Sequence, residues 1–290
     1  MKQLQKRLFL IDGNLYVYRA YYAMKDLTTS RGELSGAIYG FSRMLINLLY
    51  ERKPDYLAIV FDLPAPTFRH RQFSAYKANR PKMPHSLQNQ LIFIKEIVRA
   101  FNVQIFELEG YEADDILATV AKKTEKEIDV FIFTKDKDIL QLISHNIKVV
   151  DQKKIDHIYD LNWVREKYSL EPARITDVMA LCGDSTDNIP GVAGVGEKTS
   201  LKLIQEFGSL ENLFNNLERV KNEKLQESLI NSVEQVRINH ELLTLSTEVP
   251  LEMKIDHLRI TRAYWEKVVE IFARFEFDGL LRKIDYYYKK

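Results

Sequence analysis

The sequence predicts an α/β fold built on a doubly wound, mostly parallel sheet, with a helical part behind it. Two observations carry that class. Short apolar runs alternate with amphipathic helical stretches up to about residue 150, and from about residue 160 only helical periodicity remains. The apolar runs are Leu8–Ile11, Leu57–Phe61, Val103–Phe106, Val130–Phe133 and Ile147–Val150. Each is short, continuous and bounded by turn or cap residues, as a strand buried on both faces should be. Between them, residues 36–52 set Ile38, Phe41, Leu45, Leu48 and Leu49 at helical spacing, and Pro54 stops the helix. Ser86 stands as the N-cap of a helix through Phe101. Another helix is expected over about 112–126, after Gly110-Tyr111. Later helices are expected at 160–168, 173–182, 197–207, 210–217, 223–243 and about 261–275. No linker or low-complexity tract intervenes, so an α/β part at 1–160 should carry a helical part, 161–290, packed on it.

The chain has 290 residues, 46% of them hydrophobic and 29% charged, which fits a globular protein of one or two domains. No apolar run approaches the ~18 residues of a membrane span. The start MKQLQKRLFLID is too short in its apolar part for a signal peptide. A single cysteine, Cys182, excludes an internal disulfide and suits a reducing cytoplasm. The net charge of +1 argues against a nucleic-acid binder until its distribution is considered. Residues 1–100 hold 16 Lys/Arg against 7 Asp/Glu, residues 101–187 hold 11 against 18, and the remainder is balanced. A strongly basic block and an acidic block therefore lie side by side.

The acidic residues stand at strand ends. Asp12 closes the first run and Asp62 the second; Glu112, Asp114 and Asp115 open the helix after the third; Asp136 and Asp138 follow the fourth. The carboxyl ends of parallel strands share one edge of the sheet, where ligands bind. Asp136 and Asp138, two apart in extended chain, face one side. Glu112 and Asp115, three apart, share a helix face, and Asp114 points elsewhere on an ideal helix but, in a first turn, still borders the site. Asp184 and Asp187 in GDSTDN form a further pair. One Asp after a strand is ordinarily a turn residue or helix cap; the set as a whole is not. So many carboxylates ionise together only if cations neutralise them. With no His or Cys cluster beside them, hard oxygen ligands favour Mg²⁺ or Mn²⁺, and a two-metal site suits in-line phosphodiester displacement.

Residues 63–95 are basic and free of acid: Arg69, Arg71, Lys77, Arg80, Lys82 and Lys95, with Phe68, Phe73 and Tyr76 interleaved. Cations that track phosphates and rings that stack bases suit single-stranded nucleic acid. Lys77 and Arg80 at helical spacing reach toward a phosphate beside the metals. GVAGVGEKTS (Gly191–Ser200) has the glycine gap of a P-loop, but Glu197 stands where the lysine must be and NIP precedes it rather than a strand. The better reading is a hairpin between helices whose backbone N–H groups hold a phosphate, with Lys198 and Lys202 assisting.

These residues lie in LFLIDGNLYVYRAYYAMKDLTTSRG, AIYGF, VFDLPAPTFRHRQFSAYKANR, GYEADDILAT, FTKDKDILQL, ALCGDSTDNIPGVAGVGEKTS and FGSLENL. In that order, across nearly the whole chain, they resemble the 5′ nuclease (flap endonuclease) superfamily, and within it the 5′→3′ exonuclease domain of bacterial DNA polymerase I. The resemblance implies a PIN-like sheet, a helical arch at about 63–95 and a helix–two-turn–helix element at 191–200. It implies a first metal among Asp12, Asp62, Glu112 and Asp114, a second among Asp136, Asp138, Asp184 and Asp187, and Asp115 between them. Lys77 and Arg80 match the catalytic basic pair that engages the scissile phosphate. Tyr18 matches an aromatic that stacks on the terminal base pair, with Arg19 beside it; Arg69, Arg71 and Tyr76 are expected to contact DNA. Gly191, Gly194, Gly196, Lys198, Thr199 and Lys202 match the element that grips duplex backbone, in some relatives with a K⁺ ion.

The expected function is a divalent-metal-dependent 5′→3′ exonuclease and 5′-flap endonuclease, removing RNA primers in replication and repair and leaving a 5′ phosphate. The expected partners are branched or nicked duplex DNA, RNA–DNA primer junctions and a DNA polymerase in trans, with the protein itself a monomer and no membrane involved. The sequence holds no polymerase, so a stand-alone nuclease is expected, with a domain of a longer protein as the alternative. A PIN-type RNA nuclease shares the acidic edge but lacks the glycine hairpin and the arch. A non-catalytic DNA-junction binder has no need of nine carboxylates facing phosphate.

Overall fold

The computed structural model describes residues 6–151 and 157–288. The chain enters through β1 (Arg7–Asp12), α1 (Gly13–Ala23) and α2 (Gly36–Asn47), which a π turn prolongs to Arg52. It continues through β2 (Tyr56–Val60), α3 (Phe68–Gln72), α4 (His85–Ala100), β3 (Gln104–Phe106), α5 (Ala113–Thr124), β4 (Asp129–Phe133), β5 (Ile147–Val150) and β6 (Ile158–Tyr159). Then follow α6 (Leu161–Tyr168), α7 (Ile175–Cys182), α8 (Glu197–Phe207), α9 (Leu210–Phe214), α10 (Glu223–Asn231), α11 (Val233–Leu243), α12 (Trp265–Arg274) and α13 (Asp278–Tyr288). No helix among the described residues is long and apolar enough to cross a membrane.

The strand order is β3-β2-β1-β4-β5-β6. β1 through β5 pair in parallel, and only β6 runs antiparallel, against β5. Side chains alternate across a strand, so β1 feeds two cores. Leu8 and Leu10 join Ala58, Val60, Val130 and Ile132 under α5 and the helices from α6 to α11. Phe9 and Ile11 join Leu57, Ile59 and Phe133 under α1, α2 and α4. The helical region is thus divided: α12 and α13 return to the second face, where Val268, Ile271, Phe272, Leu280 and Ile284 complete that core. With both faces covered, the strands read as the continuous apolar runs seen in the sequence.

The five parallel strands fall where the apolar runs predict them, within a residue or two. Other expectations need correction. Asp12-Gly13 reads as a turn, yet Asp12 caps α1 by accepting from the Leu15 N–H at 3.0 Å. Gly13 is required there because a Cβ would lie 2.4 Å from the Phe61 ring. Ser86 is not the cap of α4; that helix starts at His85 after Pro84, and the Ser86 hydroxyl meets the Tyr21 hydroxyl at 2.8 Å. The single helix expected over 223–243 is broken at Ser232, and the last expected helix begins at Trp265 rather than 261. The two-residue β6 carries too little periodicity to be read in advance, and α13 lies past the last helix expected.

Candidate active site

β1 lies between β2 and β4 because the chain first winds outward through β2 and β3 and then crosses back to β4. That reversal is the topological switch point, where an open parallel sheet leaves a crevice at its carboxyl edge. Asp12 ends β1 at this place. Its carboxylate accepts from Leu15 N–H and, through the other oxygen, from the buried Thr134 hydroxyl at 3.1 Å. The same hydroxyl oxygen accepts the Asp136 N–H at 3.1 Å, so Thr134 ties the β1 acid to the β4 acid. Asp136 accepts the Asp138 N–H at 3.1 Å. Asp62 accepts the Ala113 N–H at 2.7 Å, which fixes it to the first turn of α5, and its own N–H donates to the Asn14 side chain. Asp184 accepts from the Thr186 N–H at 2.7 Å in a tight loop closed by paired Asp184–Ile189 backbone bonds. Asp187, on that loop, and Glu112, which caps α5, are both buried.

Three residues of the basic segment reach into this cluster. The Lys77 ammonium donates to Glu112 at 2.7 Å and lies 3.5 Å from Asp187. The Arg80 guanidinium donates to Asp187. The Tyr76 hydroxyl sits 3.0 Å from both Glu112 and Asp187. Lys77 and Arg80 occupy consecutive turns rather than the helix face expected of them. Lys77 has φ 54°, in the left-handed region where a side chain is strained, and its N–H donates to the Asp187 carbonyl at 2.9 Å. Next to Asp187, Asn188 also has a positive φ, 58°.

Even so, the cluster holds more negative charge than these cations neutralise. Burial, and then the opposing effects of the Leu15 N–H and the neighbouring Asp62, leave the Asp12 carboxyl raised from 3.8 to about 7. Asp114 is pushed well above the ordinary carboxylate range by burial and by Asp136, Asp12 and Asp62. Asp138 is pushed up likewise by burial, Asp136, Asp187 and Asp184. Asp136 and Asp62 are also raised, chiefly by burial, although Asp62 keeps surface open to solvent at the mouth. Burial lowers the Lys77 ammonium, but Glu112 and Asp187 more than offset it and the net shift is upward. Asp114 Oδ1 and Asp138 Oδ1 are buried without a hydrogen-bond partner. An orphaned carboxylate oxygen in an all-oxygen acidic cluster is the donor a hard divalent cation takes. As the side chains stand, no three Asp, Glu, His or Cys groups among the described residues are grouped closely enough to hold an ion; Lys77 and Arg80 occupy that ground in their place. A cavity of about 420 Å³ lies beside Asp136, Asp138, Asp184 and Asp187, with Arg80 and Lys135 in its wall.

Four expected site residues are placed differently. Asp115 does not join the acidic cluster. The helix-face reading grouped it with Glu112, whereas the structure turns Asp115 out and, as a first-turn position allows, Asp114 in. Asp115 is fully buried in a two-bonded pair with Arg69, at 2.6 and 2.8 Å, and also accepts the N–H groups of Ser246 and Glu112. Arg69 is therefore no DNA contact; it is 1% exposed and donates besides to the Leu242 and Thr244 carbonyls. Tyr76, 3% exposed, offers no ring for base stacking. Gly191 packs against its own protein: a Cβ there would lie 2.2 Å from the Cys182 carbonyl oxygen. Arg71 is exposed but lines another cavity, with Tyr111 and His240 and none of the acidic cluster. Tyr18 is half-buried and Arg19 exposed on α1. Gly194, with φ +78°, and Gly196 face open space ahead of α8, and Lys198 and Lys202 project from it into solvent, with Thr199 half-buried between them. Thr134 was not singled out from the sequence. A threonine directly after an apolar run, ahead of alternating acids, is the signal it left.

Residues 7–169 match the family model of the 5′–3′ exonuclease N-terminal resolvase-like domain, and residues 170–266 match that of the 5′–3′ exonuclease C-terminal SAM fold. The chain belongs to the 5′–3′ exonuclease family. It is 38% identical over 281 residues to a 5′–3′ exonuclease of Aquifex aeolicus, covering 97% of this chain and 96% of that one. It is 44% identical over 278 residues to the thermostable DNA polymerase I of Thermus thermophilus, covering 96% of this chain but 33% of the polymerase, so it spans about a third of such relatives. Among solved structures, a zinc-bound T5 5′-exonuclease superposes with a TM-score of 0.71 at 20% identity, covering 95% of this chain and 98% of that one. The catalytic core of Rad2 in complex with DNA substrate superposes at 0.65 and 17% identity, covering 94% of this chain and 88% of that one. At those identities the likeness is one of fold.

Two outcomes follow from this geometry. Arg69→Ala leaves Asp115 buried without its partner and should lower the unfolding free energy by about 3–5 kcal/mol, measured by urea denaturation. The second outcome concerns pH. A carboxyl raised by folding takes up a proton when the chain folds, so its contribution is most favourable below its unfolded value and is lost as pH rises toward its folded one. For Asp12 that window runs from 3.8 to about 7. The melting temperature of metal-free protein should fall across this window, and added divalent cation should restore it most at the upper end.

Proposed function

We propose that the chain is a structure-specific 5′ nuclease acting on DNA, cutting 5′ flaps and removing 5′ nucleotides, RNA primers included, with two divalent cations. The observation that carries this reading is the convergence of acidic side chains from four strand-end loops and the Asp184–Asp187 loop on one crevice, with two buried oxygens left unpartnered and two cations facing them. The zinc named in the T5 5′-exonuclease structure, and the DNA named in the Rad2 complex, agree with it. Asp12, Asp62, Glu112 and Asp114 would hold one ion, and Asp136, Asp138, Asp184 and Asp187 the other, Mg²⁺ being the natural candidate for an all-oxygen set. Bound there, a divalent pair activates water and stabilises charge on the phosphate and the departing 3′ oxygen.

The chain's own residues do the rest. Lys77 and Arg80 are held by the carboxylates at the crevice and offer N–H donors to a phosphate entering it, which fixes the strand and neutralises charge that grows during in-line displacement. Tyr76 holds Glu112 and Asp187 in place from beneath. The α/β part, 1–160, thus carries most of the chemistry, and the Asp184–Asp187 loop of the helical part completes it. The hairpin before α8 offers backbone N–H groups, with Lys198 and Lys202, to a duplex phosphate without reading sequence, and K⁺ is the candidate ion at that turn. The product carries a 5′ phosphate and leaves a nick for a DNA polymerase, and one chain supplies every residue, as a monomer requires.

The test is a divalent-cation titration on a labelled 5′-flap duplex. The wild type should release the flap only when Mg²⁺ or Mn²⁺ is present. Asp136→Asn should cut at least about a hundredfold more slowly, some 2.7 kcal/mol of barrier, while binding the same duplex as well as the wild type. Cleavage that survives in a chelator, or in Asp136→Asn, contradicts the assignment.

A further inference from the structure

Three buried side-chain oxygens lack a hydrogen-bond partner among the described residues. Two of them, on Asp114 and Asp138, belong to the acidic crevice. The third is the hydroxyl of Tyr16, a side chain only 5% exposed. A hydroxyl buried in this way costs stability unless something binds it. Tyr16 stands one turn past Asp12 but lines a different space, a cavity of about 310 Å³ between α1 and α2 that none of the crevice acids borders.

The sequence builds this cavity. Tyr16, Arg19, Ala20 and Ala23 fall at i, i+3, i+4 and i+7, one face of α1. Gly40, Met44, Asn47 and Glu51 form the facing row on α2 and the π turn that prolongs it. The two helices meet at Ala20 and Gly40, where a Cβ on residue 40 would lie 2.7 Å from the Ala20 Cβ. Arg19, Arg43 and Arg52 bring three guanidiniums to the wall, and Glu51 is its one acid. Lys283 of α13 donates to Glu51 at 2.9 Å and to Asn47 Oδ1 at 2.6 Å. The acid is thus already met from the C-terminal helix, and the cavity keeps an excess of positive charge. Ala23, Met24, Met44 and Leu48 make the rest of its lining apolar.

That combination selects an occupant. Guanidiniums pair with phosphate oxygens through two parallel bonds, and the Tyr16 hydroxyl adds a donor. Methionine side chains adapt to flat apolar groups. The volume lies at the small end of ligand sites, about 300–1,000 Å³, and gives room for a single nucleotide unit. We propose that this cavity binds a nucleoside 5′-monophosphate outside the crevice, with the phosphate on Arg19, Arg43 and Tyr16 and the base against the two methionines. The inference rests on the nuclease reading above for the source of the ligand, because removal of 5′ nucleotides releases such a molecule. The occupant then bears on the helix that Asp12 caps, which links this product site to the crevice.

The experiment is calorimetric titration of the full chain in EDTA, so that no divalent cation holds phosphate in the crevice. The probes are deoxyadenosine 5′-monophosphate, inorganic phosphate and deoxyadenosine. The nucleotide should bind once per chain, inorganic phosphate about tenfold more weakly and the nucleoside more weakly still. Arg43→Ala should weaken nucleotide binding at least about tenfold, and Tyr16→Phe about fivefold. Without ligand, Tyr16→Phe should melt no lower than the wild type, because it removes a hydroxyl that nothing in the fold satisfies; the nucleotide should then stabilise it less. A lower melting temperature of ligand-free Tyr16→Phe means that the hydroxyl serves the fold, and overturns its assignment to the ligand. No saturable binding of the nucleotide up to about 10 mM, or binding unchanged in both variants, overturns the site. So does a loss of 5′-flap duplex binding in Arg43→Ala when the nucleotide itself does not bind, since the cavity then belongs to the footprint of a strand. Cleavage of the same flap by wild type in Mg²⁺ judges the nuclease reading separately.

Discussion

Everything at the site follows from placing more carboxylates at one edge of a parallel sheet than the surrounding protein can neutralise. The edge itself comes from topology: parallel strands end together, and the reversal of direction around β1 opens a crevice there. Backbone N–H groups of Leu15, Ala113, Asp138 and Thr186, and the Thr134 hydroxyl, hold individual acids in position. Lys77 and Arg80 offset part of the charge. What is left appears as carboxyls raised above their ordinary range and as two oxygens with nothing to bind. Both are signs of a site arranged for cations from outside the chain.

The second constraint is the Arg69–Asp115 pair, which keeps the basic segment in register with that edge. Arg69 comes from α3 and Asp115 from α5, and the Leu242, Thr244 and Ser246 backbone closes the arrangement from the far end of α11. Glu112 donates its own N–H to Asp115. A buried ion pair thus joins the segment that delivers Lys77 and Arg80, the helix that presents Glu112 and Asp114, and the helical region that carries the glycine hairpin. Glycines at 183 and 191 let the two ends of the Asp184–Ile189 loop meet where no Cβ fits.

Much of this was legible in the sequence because strand position and chemistry coincide. An acid at or shortly after the end of an apolar run marks the carboxyl edge of the sheet, and so the placing of Asp12, Asp62, Asp136 and Asp138 at that edge could be read without a structure. What escaped the reading depends on contacts far apart in the chain. Helical periodicity put Asp115 beside Glu112, but a capping box turns the helix start so that Asp114 faces the crevice. Composition made Arg69 and Tyr76 candidates for DNA contact. Their partners, Asp115 for the one and Glu112 and Asp187 for the other, lie 36 to 111 positions away in sequence and buried both side chains. The return of α12 and α13 to the second face of the sheet has no local signal at all, because amphipathic helices do not state which face they cover.

The central claim, that the acidic edge is built for two divalent cations, is tested most directly by calorimetric titration of the metal-free chain with Mg²⁺ or Mn²⁺ near neutral pH, in two buffers of different ionisation enthalpy. Carboxyls raised by burial, and further by one another, must release protons when a cation displaces them. The account predicts saturation at two ions per chain, with a net release of protons that shows as a buffer-dependent heat. Absence of saturable binding, or binding with no proton release, would contradict it.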